Sequence, residues 1–323
     1  MIIVQSPLRV SFLGGGTDFG DFYLKHGGAV LSTTIDKYAF IIVKGRFDNL
    51  ISVNYSKREV VESVNDLQHE LVREAMRMTG VERGIEVSTL VDVREGSGLG
   101  SSSSITIGLL QALYGYQGET VATEVLAKQA CQIEIGILGK PIGRQDQYIA
   151  AYGGLRFLTF TMDGINLEKV PLGKEAKRKL NERLMLFFTN RTRRSGDILA
   201  EQKTNIASRI EVLKEMTKLA YQGKEAIIVE AFDEFGEMLH KGWQLKKQLA
   251  SKVSDSDLDQ IYEVARKNGA VGGKITGAGG GGFLLLYCQN GKRDDLRRAL
   301  KGLEEVSFQF EPDGAKCIFN YRR

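Results

Sequence analysis

The chain is poor in the residues that build secreted, metal-rich or membrane-spanning proteins. It has only three cysteines, Cys131, Cys288 and Cys317, in 323 residues. They lie far apart, without CxxC spacing or a neighbouring histidine, so a disulfide framework and an ordinary thiolate metal site are excluded. All three are expected to be core thiols in a reducing compartment. The three histidines, His26, His69 and His240, are scattered without metal-ligand spacing. No apolar run approaches the roughly 18 residues of a membrane span. Met1 leads straight into a strand-like run with no basic n-region, so a cytoplasmic location is expected. Four prolines with 26% charged and 42% hydrophobic residues fit a folded chain, not a disordered or fibrous one. A net charge of only +4, with no basic arm or interleaved aromatic stripe, argues against nucleic acid or membrane as partner and favours a small anionic molecule.

At this length the chain has room for two domains. β-branched and aromatic runs predict strands over 2–13, 28–45, 51–55 and 85–93. The segment 66–78 is amphipathic, with Leu67, Leu71, Ala75 and Met78 at helical spacing. Helices are predicted over 102–116 and 120–138, the second capped by Thr120, followed by strands over 155–161 and 165–170. The charged, breaker-containing stretch 171–182 is the expected linker, dividing an N-terminal domain, 1–178, from a C-terminal domain, 179–323. Beyond it come a strand over 184–189 and two long helices within 195–249, interrupted near Gly223. A helix over 257–268, a glycine cluster entering a strand within 274–288, a helix over 294–303 and strands near 306–310 and 316–319 complete the chain. This order predicts an α+β second domain with helices on one face of an antiparallel sheet.

Glycine is abundant, and much of it sits in loops that open helices or join strands. Gly96-Ser-Gly-Leu-Gly-Ser-Ser-Ser-Ser104 enters an apolar helix, so its backbone N–H groups and the helix dipole suit a phosphate. No lysine follows, which excludes the ordinary P-loop. The spacing is not GxGxxG, and Arg94-Glu95 precedes it instead of a strand end, which disfavours dinucleotide binding. A plain Gly/Ser turn capping a helix is the other reading of this segment alone. Three further segments bear on it. Pro7-Leu-Arg-Val-Ser-Phe-Leu-Gly-Gly-Gly-Thr-Asp18 sets a cation on a strand before a glycine turn that ends in a carboxylate. Lys274-Ile-Thr-Gly-Ala-Gly-Gly-Gly-Gly-Phe283 is a second glycine loop beside a strand. Gly139-Lys-Pro-Ile-Gly-Arg-Gln-Asp-Gln147 presents Asp146 twelve residues beyond Glu134.

These segments, in this order, resemble the signature of the GHMP small-molecule kinases over nearly the whole chain. Arg94 to Ser103 is similar to the family's PxxxGLGSSA motif, with Arg94 for its proline and Ser103 for its alanine. Gly-Gly-Gly-Thr-Asp at 14–18 resembles the sugar-phosphate branch. Galactokinases instead have Glu and His at the places of Gly15 and Gly16, so galactose is not the expected acceptor. The resemblance implies an α+β, two-domain GHMP kinase fold with the active site in the interdomain cleft, an ATP-dependent kinase reaction, and Mg²⁺.

By the same resemblance Gly96, Ser97, Gly98, Leu99, Gly100, Ser101, Ser102 and Ser103 wrap the ATP phosphates, with Gly277 and Gly279 in support. Ser102 and Glu134 hold Mg²⁺, whose preference is for oxygen ligands. Asp146 and Arg9 are the catalytic pair, and Asp18 with Gly15, Gly16 and Thr17 binds the acceptor, a small sugar phosphate. Arg193, Arg194 and the amide of Ser195, at a strand-to-helix junction, are the expected grip on the acceptor's own phosphate. The residues alone leave bland readings open: Asp18 as the N-cap of a helix from Phe19, Asp146 capping the turn to Tyr148, and the arginines as a solvated face. A sensor that has lost catalysis is the rival function. Retention of Arg9, Glu134 and Asp146 together argues against it.

Overall fold

The computed structural model describes residues 1–94, 96–192 and 195–321. The chain begins with strand β1 (Ile2–Leu13), helix α1 (Gly20–His26), the long strand β2 (Gly28–Gly45) and a hairpin of β3 (Ile51–Asn54) and β4 (Arg58–Val61). Helix α2 (Glu70–Thr79), strand β5 (Ile85–Val91), helices α3 (Ser101–Gln117), α4 (Thr123–Cys131) and α5 (Gln145–Tyr152), and the hairpin of β6 (Leu155–Thr161) and β7 (Gly164–Lys169) follow. Helix α6 (Lys174–Arg183), strand β8 (Leu184–Phe188) and helices α7 (Ser195–Asn205), α8 (Ile210–Ile228), α9 (Phe232–Lys246) and α10 (Ser256–Lys267) open the second half. Strands β9 (Ala270–Ile275) and β10 (Phe283–Cys288), helix α11 (Arg293–Ala299) and strands β11 (Glu304–Glu305) and β12 (Lys316–Asn320) close it.

The first sheet runs β12-β1-β2-β5-β3-β4, with β6 also on β2 and β7 on β6. β2 is long enough to serve two neighbours in succession: residues 28–33 pair with β6 and residues 39–45 with β5. β1 lies antiparallel along its other edge and shifts register between Pro7 and Leu8. β12 covers only Ile2 to Gln5 of β1, so Pro7 falls at a bulge just past that pairing, where a missing N–H is tolerated. Before the bulge, Ile2 and Val4 join Ile41, Val43, Ile107 and Leu110 in the core under α2 and α3. After it, Leu8, Val10 and Phe12 pack with Leu219 of α8 and with Phe235 and Leu239 of α9.

The second sheet, β11-β8-β10-β9, is antiparallel. Helices were expected on one face of it, but both faces are covered. Leu184, Leu186, Leu285 and Tyr287 share a core with β1, α8 and α9. Met185, Phe187, Leu284 and Leu286 share another with Leu258, Tyr262 and Leu296 of α10 and α11. That is why β8 and β10 read as unbroken apolar runs without alternation.

Several expectations are corrected by the packing. The expected linker at 171–182 is mostly helix α6, whose Ala176 and Leu180 are buried. The two long helices expected before residue 249 are three, and Gly223 lies inside α8 and does not break it. A Cβ at Gly223 would come within 2.2 Å of Leu13 Cδ1, so glycine there permits close approach to β1. The helix expected from Thr120 begins at Thr123, after Ala122, and continues into a wide-turned π segment, Gln132–Ile137. The terminal strand β12 returns to the first sheet, antiparallel to the start of β1. No helix among the described residues is long and apolar enough to cross a membrane.

Cys131 and Cys288 are buried as expected, whereas Cys317 is exposed on β12. Burial pushes the Cys131 thiol up to about 12 and raises that of Cys288, so both stay protonated and unreactive near neutral pH. Ellman's reagent is therefore expected to count a single fast thiol, Cys317, in the native protein and all three in denaturant. Fast reaction of two or more native thiols would contradict this packing.

Candidate active site

Three segments distant in sequence meet at the carboxyl-terminal half of β1. Asp18 ends the glycine turn after β1 and is buried. Its Oδ1 accepts from Gly16 N at 3.0 Å and its Oδ2 from Gln145 N, the first residue of α5, at 3.1 Å. Asp18 thus does cap a helix, but α5 and not the helix that follows it, since α1 has no side-chain cap. Arg144 N also donates to Asp18 O at 3.2 Å. Gly143 is required by this contact, because a Cβ there would sit 2.0 Å from Asp18 Oδ2. Burial raises the Asp18 carboxyl above its ordinary value, against the two amides that stabilise its charge.

Anchored in this way, the first turn of α5 aims Asp146 at β1. Arg9 Nε donates to Asp146 Oδ1 at 2.7 Å and Nη2 to Oδ2 at 2.5 Å, a two-pronged pair with little exposure. The third arm of the guanidinium, Nη1, donates to Gly98 O at 2.6 Å. Arg9 N donates to Leu99 O at 2.9 Å, so β1 beyond Pro7 carries the first glycine loop on its backbone and on its side chain alike. The second glycine loop locks onto the first: Thr276 Oγ1 and Phe283 N both donate to Ser97 O, at 3.2 Å each. A Cβ at Gly98 would lie 2.6 Å from Thr276 O, and one at Gly277 would lie 2.7 Å from Gly98 Cα.

Gly100 hands the loop to α3, whose opening residues Ser101, Ser102, Ser103 and Ser104 are all helical. Ser102 Oγ donates to Glu134 Oε1 at 2.7 Å; Ser103 Oγ and Gln147 Nε2 donate to Oε2 at 2.7 and 2.6 Å. Glu134 is fully buried on the π segment, a local irregularity of the kind often found at functional sites. Burial raises its carboxyl, opposed first by Lys140 and then by these donors. Hydroxyl and carboxylate oxygens side by side at a helix N-terminus fit Mg²⁺, which takes few protein ligands and keeps water and phosphate oxygens. Among the described residues no cluster of three or more acidic, histidine or cysteine side chains offers a self-sufficient metal cage.

A cleft opens beside Arg9 and Asp146, bordered also by Gly15, Gly16, Asp18, Gln145 and Gly277. Thr17, expected to touch the acceptor, does not border it. Its buried hydroxyl donates to Gly14 O and Ala29 O and accepts from Ala29 N, which shapes the turn. Gly279 packs instead against Val253, where a Cβ would lie 2.5 Å from its carbonyl oxygen. Ser195 is exposed at the start of α7 and is not among the residues bordering the cleft, though Leu199 and Gln202 of the same helix are. Arg193 and Arg194 lie outside the described residues.

Among the cleft residues not expected from the sequence are two cations, Lys246 and Lys274. Lys274 Nζ donates to Phe12 O at 3.1 Å and Lys246 Nζ to Gly15 O at 3.3 Å. Burial first, then Lys246 and Arg9, hold the Lys274 ammonium well below the usual lysine range. A signal for Lys246 existed: it continues the buried stripe Phe235, Leu239, Trp243 of α9 at helical spacing.

Among the described residues bordering the cleft there is no histidine or cysteine to form a nucleophile–base pair of the kind used in covalent catalysis. A carboxylate–guanidinium pair lies between a phosphate-suited loop and a polar pocket, which is the equipment of direct phosphoryl transfer. Comparison with known families gives the same class. Residues 58–154 match the GHMP kinases N terminal domain and residues 224–305 the GHMP kinases C terminal domain. The chain belongs to the GHMP kinase family and is an ATP-dependent kinase.

Among its relatives is the D-glycero-alpha-D-manno-heptose 7-phosphate kinase of Campylobacter jejuni, 31% identical, with 98% of each chain aligned. The bifunctional fucokinase/GDP-fucose pyrophosphorylase of Arabidopsis thaliana is 28% identical over 92% of this chain, which spans 31% of that longer protein. A solved structure of a putative sugar kinase from Campylobacter jejuni superimposes with a TM-score of 0.80 at 30% identity, covering 98% of this chain and 97% of that one. The crystal structure of a D-glycero-D-manno-heptose 1-phosphate kinase from Bacteroides thetaiotaomicron shares the fold over the full length of both chains, with a TM-score of 0.83 at 24% identity. The two-domain α+β GHMP kinase fold expected from the sequence is the one found.

Replacing Gly143 by alanine forces its Cβ onto Asp18 and pushes the first turn of α5 away from Arg9. A displacement of about 1 Å can cost on the order of 100-fold in rate. Gly143→Ala is expected to lose kcat on that scale while retaining a native circular dichroism spectrum. Wild-type kcat in a folded variant would show that the Asp18 contact does not position Asp146.

Proposed function

We propose that the chain transfers the γ-phosphoryl group of ATP to a sugar phosphate, D-glycero-D-manno-heptose 7-phosphate, at its anomeric O1. The product is the 1,7-bisphosphate, on the way to nucleotide-activated heptose for surface polysaccharides. One observation carries this reading: the Arg9–Asp146 pair borders a polar cleft in a chain that aligns end to end with a heptose 7-phosphate kinase. In this reading the reaction takes place in the cytoplasm, between the domains 1–178 and 179–323.

The family resemblance implies these roles, and the geometry supports them. ATP lays its phosphates on the backbone of Gly96 to Ser103, at the positive end of α3, with Gly277 behind the loop. Asp146 takes the proton of the acceptor hydroxyl as its oxygen bonds to the γ-phosphorus and the bond to ADP breaks. Each carboxylate oxygen keeps a lone pair after its hydrogen bond from Arg9. Arg9 fixes that carboxylate and stabilises the negative charge on the attacking oxygen. Gly15, Gly16 and Asp18 form the acceptor side of the cleft. Ser102 and Glu134 would hold Mg²⁺, which neutralises charge on the β- and γ-phosphates when bound.

ADP release with Mg²⁺ is to be measured against heptose 7-phosphate, unphosphorylated heptose, fucose, mannose and galactose. Activity is expected to be greatest with heptose 7-phosphate; activity confined to a free sugar would discard the sugar-phosphate reading while leaving a kinase. Asp146→Asn is expected to lower kcat by about 100- to 10,000-fold with ATP binding retained. Near-normal turnover in that variant would remove Asp146 from the mechanism.

A further inference from the structure

The first glycine loop lacks the lysine that an ordinary P-loop sets directly after its glycines to meet the β- and γ-phosphates. Folding brings one to that place from elsewhere in the chain. Lys140 Nζ donates to Ser102 Oγ at 3.3 Å, in the first turn of α3, and pairs with Glu70 Oε1 at 2.9 Å. Its side chain is 23% exposed, so it can be reached from outside the fold.

The backbone holds Lys140 in this position. Lys140 N donates to Glu134 O at 2.9 Å, and Ile142 N donates to Lys140 O at 2.9 Å around Pro141. A three-residue turn centred on proline, whose ring fixes its own φ and restricts the residue before it, leaves Lys140 little freedom. One stretch of chain, 134–146, thus supplies a carboxylate to Ser102, an ammonium to the same hydroxyl and the carboxylate paired with Arg9.

A purely structural role accounts poorly for the ammonium. Its partner Glu70 is half-exposed, and an ion pair of that kind contributes little to stability. Ser102 is already held by Glu134. An ammonium has three donors, of which Glu70 and Ser102 take two. Arg9 also touches the loop, but its three arms are taken by Asp146 and Gly98 O. A triphosphate laid on the loop is a polyanion, and its transfer depends on neutralising the β- and γ-oxygens.

We propose that Lys140 is the phosphate lysine of this site: its ammonium, set on Ser102 at the N-terminus of α3, donates to the phosphates of the nucleotide beyond the first. The inference rests on the placement of ATP along Gly96 to Ser103 proposed above. Two other roles predict different behaviour, a tether to α2 through Glu70 and a prop for Ser102 as a metal ligand.

Dissociation constants of ATP, ADP and AMP are to be measured by calorimetry, in EDTA and in Mg²⁺, for wild type, Lys140→Met, Lys140→Arg and Glu70→Gln. In EDTA the preference for ATP over AMP is expected to fall about 10-fold in Lys140→Met, near the lower end for a hydrogen bond to a charged group, as suits a partly exposed one. AMP binding is expected to stay unchanged, and Lys140→Arg to recover part of the loss. Glu70→Gln removes the same ion pair but keeps the ammonium, and is expected to keep the preference. An unchanged preference in Lys140→Met overturns the inference. A loss seen only with Mg²⁺ overturns it in favour of the metal prop, and an equal loss in Glu70→Gln overturns it in favour of the tether.

Should Lys140→Met not fold, the wild-type protein gives a second measurement. Reductive methylation of Lys140, followed by mass spectrometry, is expected to slow several-fold under saturating ATP in EDTA but not under saturating AMP. Equal labelling with both nucleotides overturns the inference. A wild-type protein that binds AMP as tightly as ATP fails the placement of phosphates on the glycine loop itself. Wild-type preference kept in a folded Lys140→Met fails this inference alone.

Discussion

The bidentate contact between Arg9 and Asp146 is the constraint around which the site is arranged. It joins β1 to α5 across 137 residues of chain and leaves the guanidinium's third arm for Gly98 O. Losing Asp146 would leave the buried Arg9 guanidinium without its counter-charge, at a cost of up to about 3–5 kcal/mol. Such a pair is tolerated in a cleft because both groups are satisfied by each other in fork-to-fork geometry. The same contact that fixes the carboxylate therefore also fixes the first glycine loop, so the two share one anchor.

The loops themselves are held by main chain. Ser97 O receives Thr276 Oγ1 and Phe283 N, Leu99 O receives Arg9 N, and Gly282 N donates to Arg191 O. Side chains larger than hydrogen at Gly98 or Gly277 would collide with the opposite loop. Glycine content here is a packing requirement between the two halves as much as a provision for phosphate. The cleft consequently sits at a junction of two sheets with a common core, since Leu8, Val10 and Phe12 of β1 share it with Leu186 and Leu285 of the second sheet.

Much of this was legible because it is local. A glycine loop before an apolar helix, a cation on a strand before a glycine turn, and a carboxylate just after a turn are patterns within a dozen residues. Together with the family resemblance they carry, they pointed to Arg9, Ser102, Glu134 and Asp146, which the fold does bring together in hydrogen-bonded sets. What was not legible depends on distant partners. Nothing in Lys316–Asn320 names β1 as its neighbour, and nothing in Asp18 says that the helix it caps begins at Gln145. Gly223 suggested a break because glycine weakens isolated helices, but contact with Leu13 outweighs propensity. The stretch 171–182 suggested a linker from Pro171 and Gly173, which in fact only precede a charged helix with a small buried face.

Burial perturbs the charged groups of the site in opposite senses. Burial raises the carboxyls of Asp18 and Glu134, so across the interval from their ordinary to their raised values the folded chain holds protons that the unfolded chain has released. Stability there falls as pH rises. The ammonium of Lys274 is lowered, so over its own interval the unfolded chain holds the extra proton and stability increases with pH. Neither sense is what a fold would select for stability alone, and hydrophobic side chains of similar volume would pack without either cost.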